Sequence, residues 1–93
     1  MPYTNQAARN PIDKAIEPLL ELIGSMNEGD MNYTISRLVD EWILSQEGVL
    51  RYAHLNTMIG VLECAKQEIY RRIAVPYEEI KRSENGEVFS AHR

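Results

Sequence analysis

Apolar residues recur at helical spacing along three stretches of this chain. In the first stretch they are Ile12, Ala15, Ile16, Leu19, Leu20 and Ile23, following Asn10-Pro11. That dipeptide reads as a helix cap with proline in the first turn. Pro18 lies inside the run, where it removes a donor and crowds the carbonyl four residues back. The helix is therefore expected to kink there, or to start anew near Pro18. The second stretch places Met31, Ile35, Leu38, Val39, Trp42 and Ile43 on one stripe, with Asp30 as the cap and 45–48 as the end. The third runs from about Tyr52 to Ala74. Its residues Leu55, Met58, Leu62, Ala65 and Ile69 make a heptad seam about two heptads long, widened by Ile59 and Ile73.

Pro76 is expected to stop that helix. Residues 76–82 then form a short last helix with proline in its first turn, and Asn85-Gly86 makes a turn or a C-cap. Residues 87–89 read as extended. Residues 1–9 are polar and unpatterned, which predicts a flexible arm, and 90–93 predict a loose tail. Residues 24–29 form a loop. The expected fold class is all-α: a small antiparallel three-helix arrangement with a short fourth C-terminal helix, in one domain spanning 1–93.

Size adds an expectation about assembly. A chain of 93 residues buries only about 60–65% of the surface its unfolded form exposes, so its core is thin. Small chains make up the difference by oligomerising, and a homo-oligomer is expected. No apolar run approaches the roughly 20 residues that cross a bilayer, and the first ten residues hold no hydrophobic signal core. The single cysteine, Cys64, has no intrachain partner. The expected compartment is the cytosol, or a bacterial cytoplasm, with no membrane partner.

The net charge of −4 is unevenly spread. Residues 1–50 carry Arg9, Lys14 and Arg37 against eight acidic side chains, giving −5; residues 51–93 carry seven basic against six acidic, giving +1. An acidic half argues against tracking a nucleic-acid backbone. A small anion needs only one or two arginines, so it stays open.

The candidate chemistry lies near the end of the third helix, where Tyr70, Arg71, Arg72 and Tyr77 fall close in sequence. Guanidinium forks match phosphate oxygens, and tyrosine rings stack on a base or bond a sugar hydroxyl. The alternative is that the arginines complement the helix dipole and the tyrosines pack at a core edge. Asn32, Tyr33, Thr34 and Arg37 are expected at the start of the second helix, where free N–H groups favour anions; ordinary capping fits equally. Tyr52 opens the third helix. Asn56, Gly60, Glu63, Gln67 and Arg71 line one polar flank of it, as a ligand groove or as a solvated face. Gly60 leaves room there for a close approach.

Catalytic signatures are sparse. His54 and His92 lack metal-ligand spacing, and there is no HExxH or CxxC. Glu78 and Glu79 are adjacent and diverge on a helix. Cys64 has no neighbour in sequence that would activate it. Metal-dependent chemistry on nucleotides would need Asp40, Glu41, Glu63 and Glu68 to converge across helices. The expectation is a protein that is not an enzyme and uses no cofactor or metal.

Three segments carry a resemblance: GDMNYTISRL (29–38), RYAHLNTMIGVLECAKQEIYRR (51–72) and PYEEIKRSENGEVF (76–89). They resemble a family of small uncharacterised phage and bacterial proteins with the patterns G-E-L-N-Y-x-I-T-x-L, R-Y-x-x-x-N-x-x-x-G-V-L-E-C-x-K-x-E-x-Y-R-R and P-Y-E-x-x-K-x-x-E-N-G-D-V. This chain departs from them at Met31, Ser36 and Glu87, where leucine, threonine and aspartate are usual. Small phage proteins of similar build include oligomeric sponges that sequester immune signals such as cyclic dinucleotides or ADP-ribose derivatives. By that analogy the chain binds a small phosphorylated nucleotide without turning it over. The residues carried over are Asn32, Tyr33, Arg37, Tyr52, Asn56, Arg71, Arg72 and Tyr77, with Tyr70 added on chemistry. The alternative is a structural or adaptor protein that binds another protein through the face of its long helix.

Overall fold

The computed structural model describes residues 4–91. Its regular elements are all helical: α1 (Gln6–Ile23), α2 (Glu28–Ser45), α3 (Tyr52–Ile69), a π turn (Tyr70–Ala74) and α4 (Val75–Asn85). No strand occurs among the described residues. The all-α expectation holds, as three helices of which the last is long and bent through the π turn. His92 and the first three residues of the expected arm lie outside the described residues.

Helix α1 starts earlier than Asn10-Pro11 suggested. The Asn5 side chain accepts the Ala8 N–H at 2.9 Å, so Asn5 is the N-cap and residues 6–9, expected in the arm, are helical. Asn10 accepts from the Gln6 side chain at 2.8 Å instead of capping. Pro11 and Pro18 both sit inside the helix. Neither restarts it: each removes one internal bond, and the turns on either side supply the rest.

Helix α2 also starts earlier, at Glu28 in place of the Asp30 cap. The Asn27 side chain accepts the Asp30 N–H at 2.8 Å, and Asp30 Oδ2 accepts the Asn27 N–H at 3.2 Å. This reciprocal pair is a capping box.

Pro76 does not stop the third helix. It has no N–H for the Arg72 carbonyl, and its ring crowds that oxygen. The ladder shifts by one residue instead. The Val75 N–H reaches the Tyr70 carbonyl five residues back, closing a π turn, and α4 continues with proline at its start. Gly86 ends α4 with φ 93°, a conformation glycine adopts without a Cβ penalty, and its N–H bonds the Arg82 carbonyl at 2.8 Å.

The chain divides into two compact units, one within Tyr3–Ile59 and one within Gly60–Arg93. In the first, the half-buried apolar positions are Ile16 and Leu19 on α1, Met26 before α2, Met31, Val39, Trp42 and Ile43 on α2, and Leu55 and Met58 on α3, while Ile12, Leu20, Ile23, Ile35 and Leu38 of the same stripes are exposed. In the second, only Glu68 and Ala74 are half-buried among the described residues. No described residue is fully buried.

Candidate functional site

The nine candidate residues divide between the units. Asn32, Tyr33, Arg37, Tyr52 and Asn56 belong to the first; Tyr70, Arg71, Arg72 and Tyr77 belong to the second.

In the first unit, the early start of α2 changes the expected anion site. Asn32 and Tyr33 stand in the second turn, where backbone N–H groups are committed to the helix ladder. The N-terminal donors lie around Asn27–Asp30, and the Asp30 carboxylate already faces them. Asn32, Tyr33 and Arg37 therefore stand inside α2 and not at its N-terminus. Asn32 Oδ1 accepts from Ser36 at 3.3 Å, and the Thr34 hydroxyl donates to the Asp30 carbonyl at 2.8 Å. Tyr33 and Tyr52 are exposed, Tyr52 at 84%. Asn32 also borders a shallow hollow of about 590 Å³ with Met26, Met31 and Ile35. Asn27 and Glu28 complete its lining, so it offers a carboxylate and no cation.

In the second unit, the π turn holds Tyr70, Arg71 and Arg72 consecutively. Both guanidiniums reach one carboxylate: Arg71 Nη1 lies 3.5 Å from Glu68 Oε2, and Arg72 Nε lies 3.2 Å from Glu68 Oε1. The arginine side chains stay about two-thirds exposed, while Glu68 is 19% exposed. Glu68 thus orients the pair and lowers its local charge from +2 to +1. Tyr77 has its own cation, Lys81 Nζ, 5.6 Å from the ring centre.

The C-terminal turn builds a groove that sequence reasoning missed. Gly86 turns the chain so that Glu87 approaches Arg82 at 3.6 Å, while Arg82 also pairs with Glu79. The groove, about 540 Å³, is bordered by Tyr70, Lys81, Arg82, Val88 and Phe89, together with Glu78, Glu79 and Glu87. Of the nine candidates only Tyr70 lines it. Its carboxylates outnumber its cations, so it is a poor seat for phosphate. The signal that could have found it is Asn85-Gly86 placed after the Glu79–Arg82 spacing.

The polar flank of α3 is centred on Glu63, which accepts from Gln67 at 3.3 Å and pairs with Lys66 at 3.5 Å. The Gln67 hydrogen bond, then the Lys66 charge, holds the Glu63 carboxyl below its ordinary value. A Cβ at Gly60 would meet nothing within 4 Å. This flank is a solvated face in the isolated chain. Among the described residues no three His, Cys, Asp or Glu side chains group as metal ligands, and no helix is long and apolar enough to cross a membrane.

The model of the family described as Domain of unknown function (DUF6899) matches residues 1–88. No curated protein and no solved structure matches the chain.

Proposed function

The chain belongs to the DUF6899 family, and we propose that it binds and sequesters a small phosphorylated nucleotide without catalysis. One observation carries this reading. Arg71 and Arg72 lie side by side in a π turn, exposed, and both are oriented by Glu68. Shared orientation lowers the entropy lost when two guanidiniums engage one phosphate. π turns of this kind also recur at functional sites. Tyr70 follows Ile69 into the same turn, and Tyr77 is exposed at 58% nearby in sequence. In this reading the arginines neutralise phosphate and a tyrosine stacks on the base. The ligand class is a cyclic oligonucleotide or an ADP-ribose derivative, the protein is a homo-oligomer, and its setting is a phage acting against bacterial immune signalling.

Native mass spectrometry of the full chain with a pool of cyclic di- and trinucleotides and ADP-ribose derivatives tests it. Retention of one intact nucleotide per subunit or per interface is expected, and Arg71→Ala with Arg72→Ala removes it. Nucleotides left unbound and unchanged would sink the reading; a magnesium-dependent loss of nucleotide would point to an enzyme.

A second reading has its own observation. Leu62, Ile69 and Ile73 are exposed along the long helix at 41%, 59% and 66%. Such a face suits an adaptor that binds another protein. A stoichiometric protein partner recovered with the chain, and lost on Ile69→Glu, is its expected signature.

A further inference from the structure

We infer that Asn85 is a site of spontaneous deamidation, that the last turn of α4 sets its rate, and that the product remodels the C-terminal groove. This chemistry needs no ligand and is independent of nucleotide sequestration.

Deamidation needs an asparagine followed by an unhindered backbone nitrogen. The Gly86 nitrogen, stripped of its proton by hydroxide, attacks the carbonyl carbon of the Asn85 side chain. The amide group takes a proton from water and leaves as ammonia, and a five-membered succinimide closes. Water then opens the ring at either carbonyl. Opening at the side-chain carbon gives aspartate; opening at the backbone carbon gives isoaspartate, with the chain running through Cβ. Asn85 is the one asparagine that precedes glycine; the others precede Gln6, Pro11, Glu28, Tyr33 and Thr57, whose side chains crowd the nitrogen or, in proline, replace its proton. Asn85 is also exposed, and nothing lies within 4 Å of where a Cβ on Gly86 would stand.

The fold holds this reaction back. Asn85 is the last residue of α4, and the Gly86 N–H is committed to the Arg82 carbonyl at 2.8 Å. The nitrogen cannot attack while it donates that bond, and the ring closes only when the Asn85 backbone leaves the helical range. Attack therefore waits for the last turn of α4 to open. Side chains resist that opening: Arg82 pairs with Glu79 one turn back and with Glu87 past the glycine at 3.6 Å. Each exposed pair is weak, but both clasp the same turn. Helix ends open locally without global unfolding, so the reaction proceeds in the folded protein at a rate set by this clasp.

Asn85 lines the C-terminal groove, so each product alters it. The succinimide nitrogen carries no proton, and the bond to the Arg82 carbonyl is lost while the ring persists. Aspartate puts a carboxylate at the negative end of the helix dipole and beside Glu84. The groove then carries four carboxylates against Lys81 and Arg82, a net −2 in place of −1. Isoaspartate lengthens the backbone before Gly86, which moves that residue off the Arg82 carbonyl and Glu87 off the guanidinium. Val88 and Phe89 lose the turn that seats them on the groove.

Peptide mapping by mass spectrometry of the full chain, incubated at mildly alkaline pH, tests the site. Asn85 should gain the mass of an amide-to-acid exchange in two separable products, at least about tenfold faster than any other asparagine. Unfolding in urea should speed the exchange at least about tenfold, and Arg82→Ala in the folded chain at least about threefold, because both release the last turn. Glu79→Gln with Glu87→Gln repeats the second comparison with the arginine in place, and circular dichroism checks that each variant stays helical. Asn85→Asp presents the aspartate product directly and should quicken hydrogen exchange at Gly86 at least about twofold. No exchange at Asn85 in the folded chain overturns the site. A rate that neither urea nor the clasp variants raise overturns the control by α4, and unchanged hydrogen exchange in Asn85→Asp overturns the remodelling.

Discussion

Trp42 and His54 meet edge to face, with ring centroids 6.4 Å apart and planes at 78°. The contact joins the end of α2 to the first turn of α3. The same imidazole accepts the Arg51 N–H through Nδ1 at 3.3 Å. One side chain thus closes a helix start and covers an indole, which couples the α2–α3 connection to the half-buried stripe.

His54→Ala removes both interactions. It should cost about 1 kcal/mol, the usual size of a lost helix-start hydrogen bond, with a further contribution from the ring contact. Urea unfolding followed by Trp42 fluorescence measures it. A midpoint unchanged from wild type would show that neither contact matters in solution.

Pro76→Ala removes the cause of the π turn. The ladder should return to α register, with the residue 75 N–H bonding the Arg71 carbonyl, and α4 should rotate by about 100° relative to α3. Helix stability rises by about 1 kcal/mol or more, since an internal proline is lost. Circular dichroism reads the gain, and hydrogen exchange at Val75 reads the new register.

Glu68→Gln keeps the shape and removes the charge that both arginines share. Binding of a nucleotide phosphate should tighten by about three- to tenfold, as the pair returns to +2. Isothermal titration with the nucleotide found by mass spectrometry checks it. Weaker binding would mean that orientation by Glu68 outweighs its charge.

Glu63 titrates below its ordinary value because its ionised form is hydrogen-bonded by Gln67 and attracted by Lys66. A folded-state value lowered below the unfolded one contributes stability that is present at neutral pH. That contribution is lost as the pH falls through the lowered value. The pair is exposed, so the effect is small and fades with salt. Carboxyl NMR titration should place Glu63 below the ordinary glutamate value, and Gln67→Ala and Lys66→Ala should each raise it.

The sequence by itself determined the helical content and the apolar positions. Ile16, Leu19, Val39, Trp42, Leu55 and Met58 could be read as stripes because a helix returns a side chain to the same face every three or four residues. It also located the turn at Asn85-Gly86. It misplaced the starts of α1 and α2, because Asn5, Asn10, Asn27 and Asp30 are all competent caps and side-chain geometry chooses among them. It read Pro76 as a stop, because proline's missing N–H says that one bond fails and not whether the ladder ends or shifts. Only the three-dimensional structure decided that it shifts into a π turn, that Glu68 holds both arginines, and that a glycine with φ 93° brings Glu87 back to Arg82. These depend on which group reaches which across a turn, and spacing along the chain does not contain that distance.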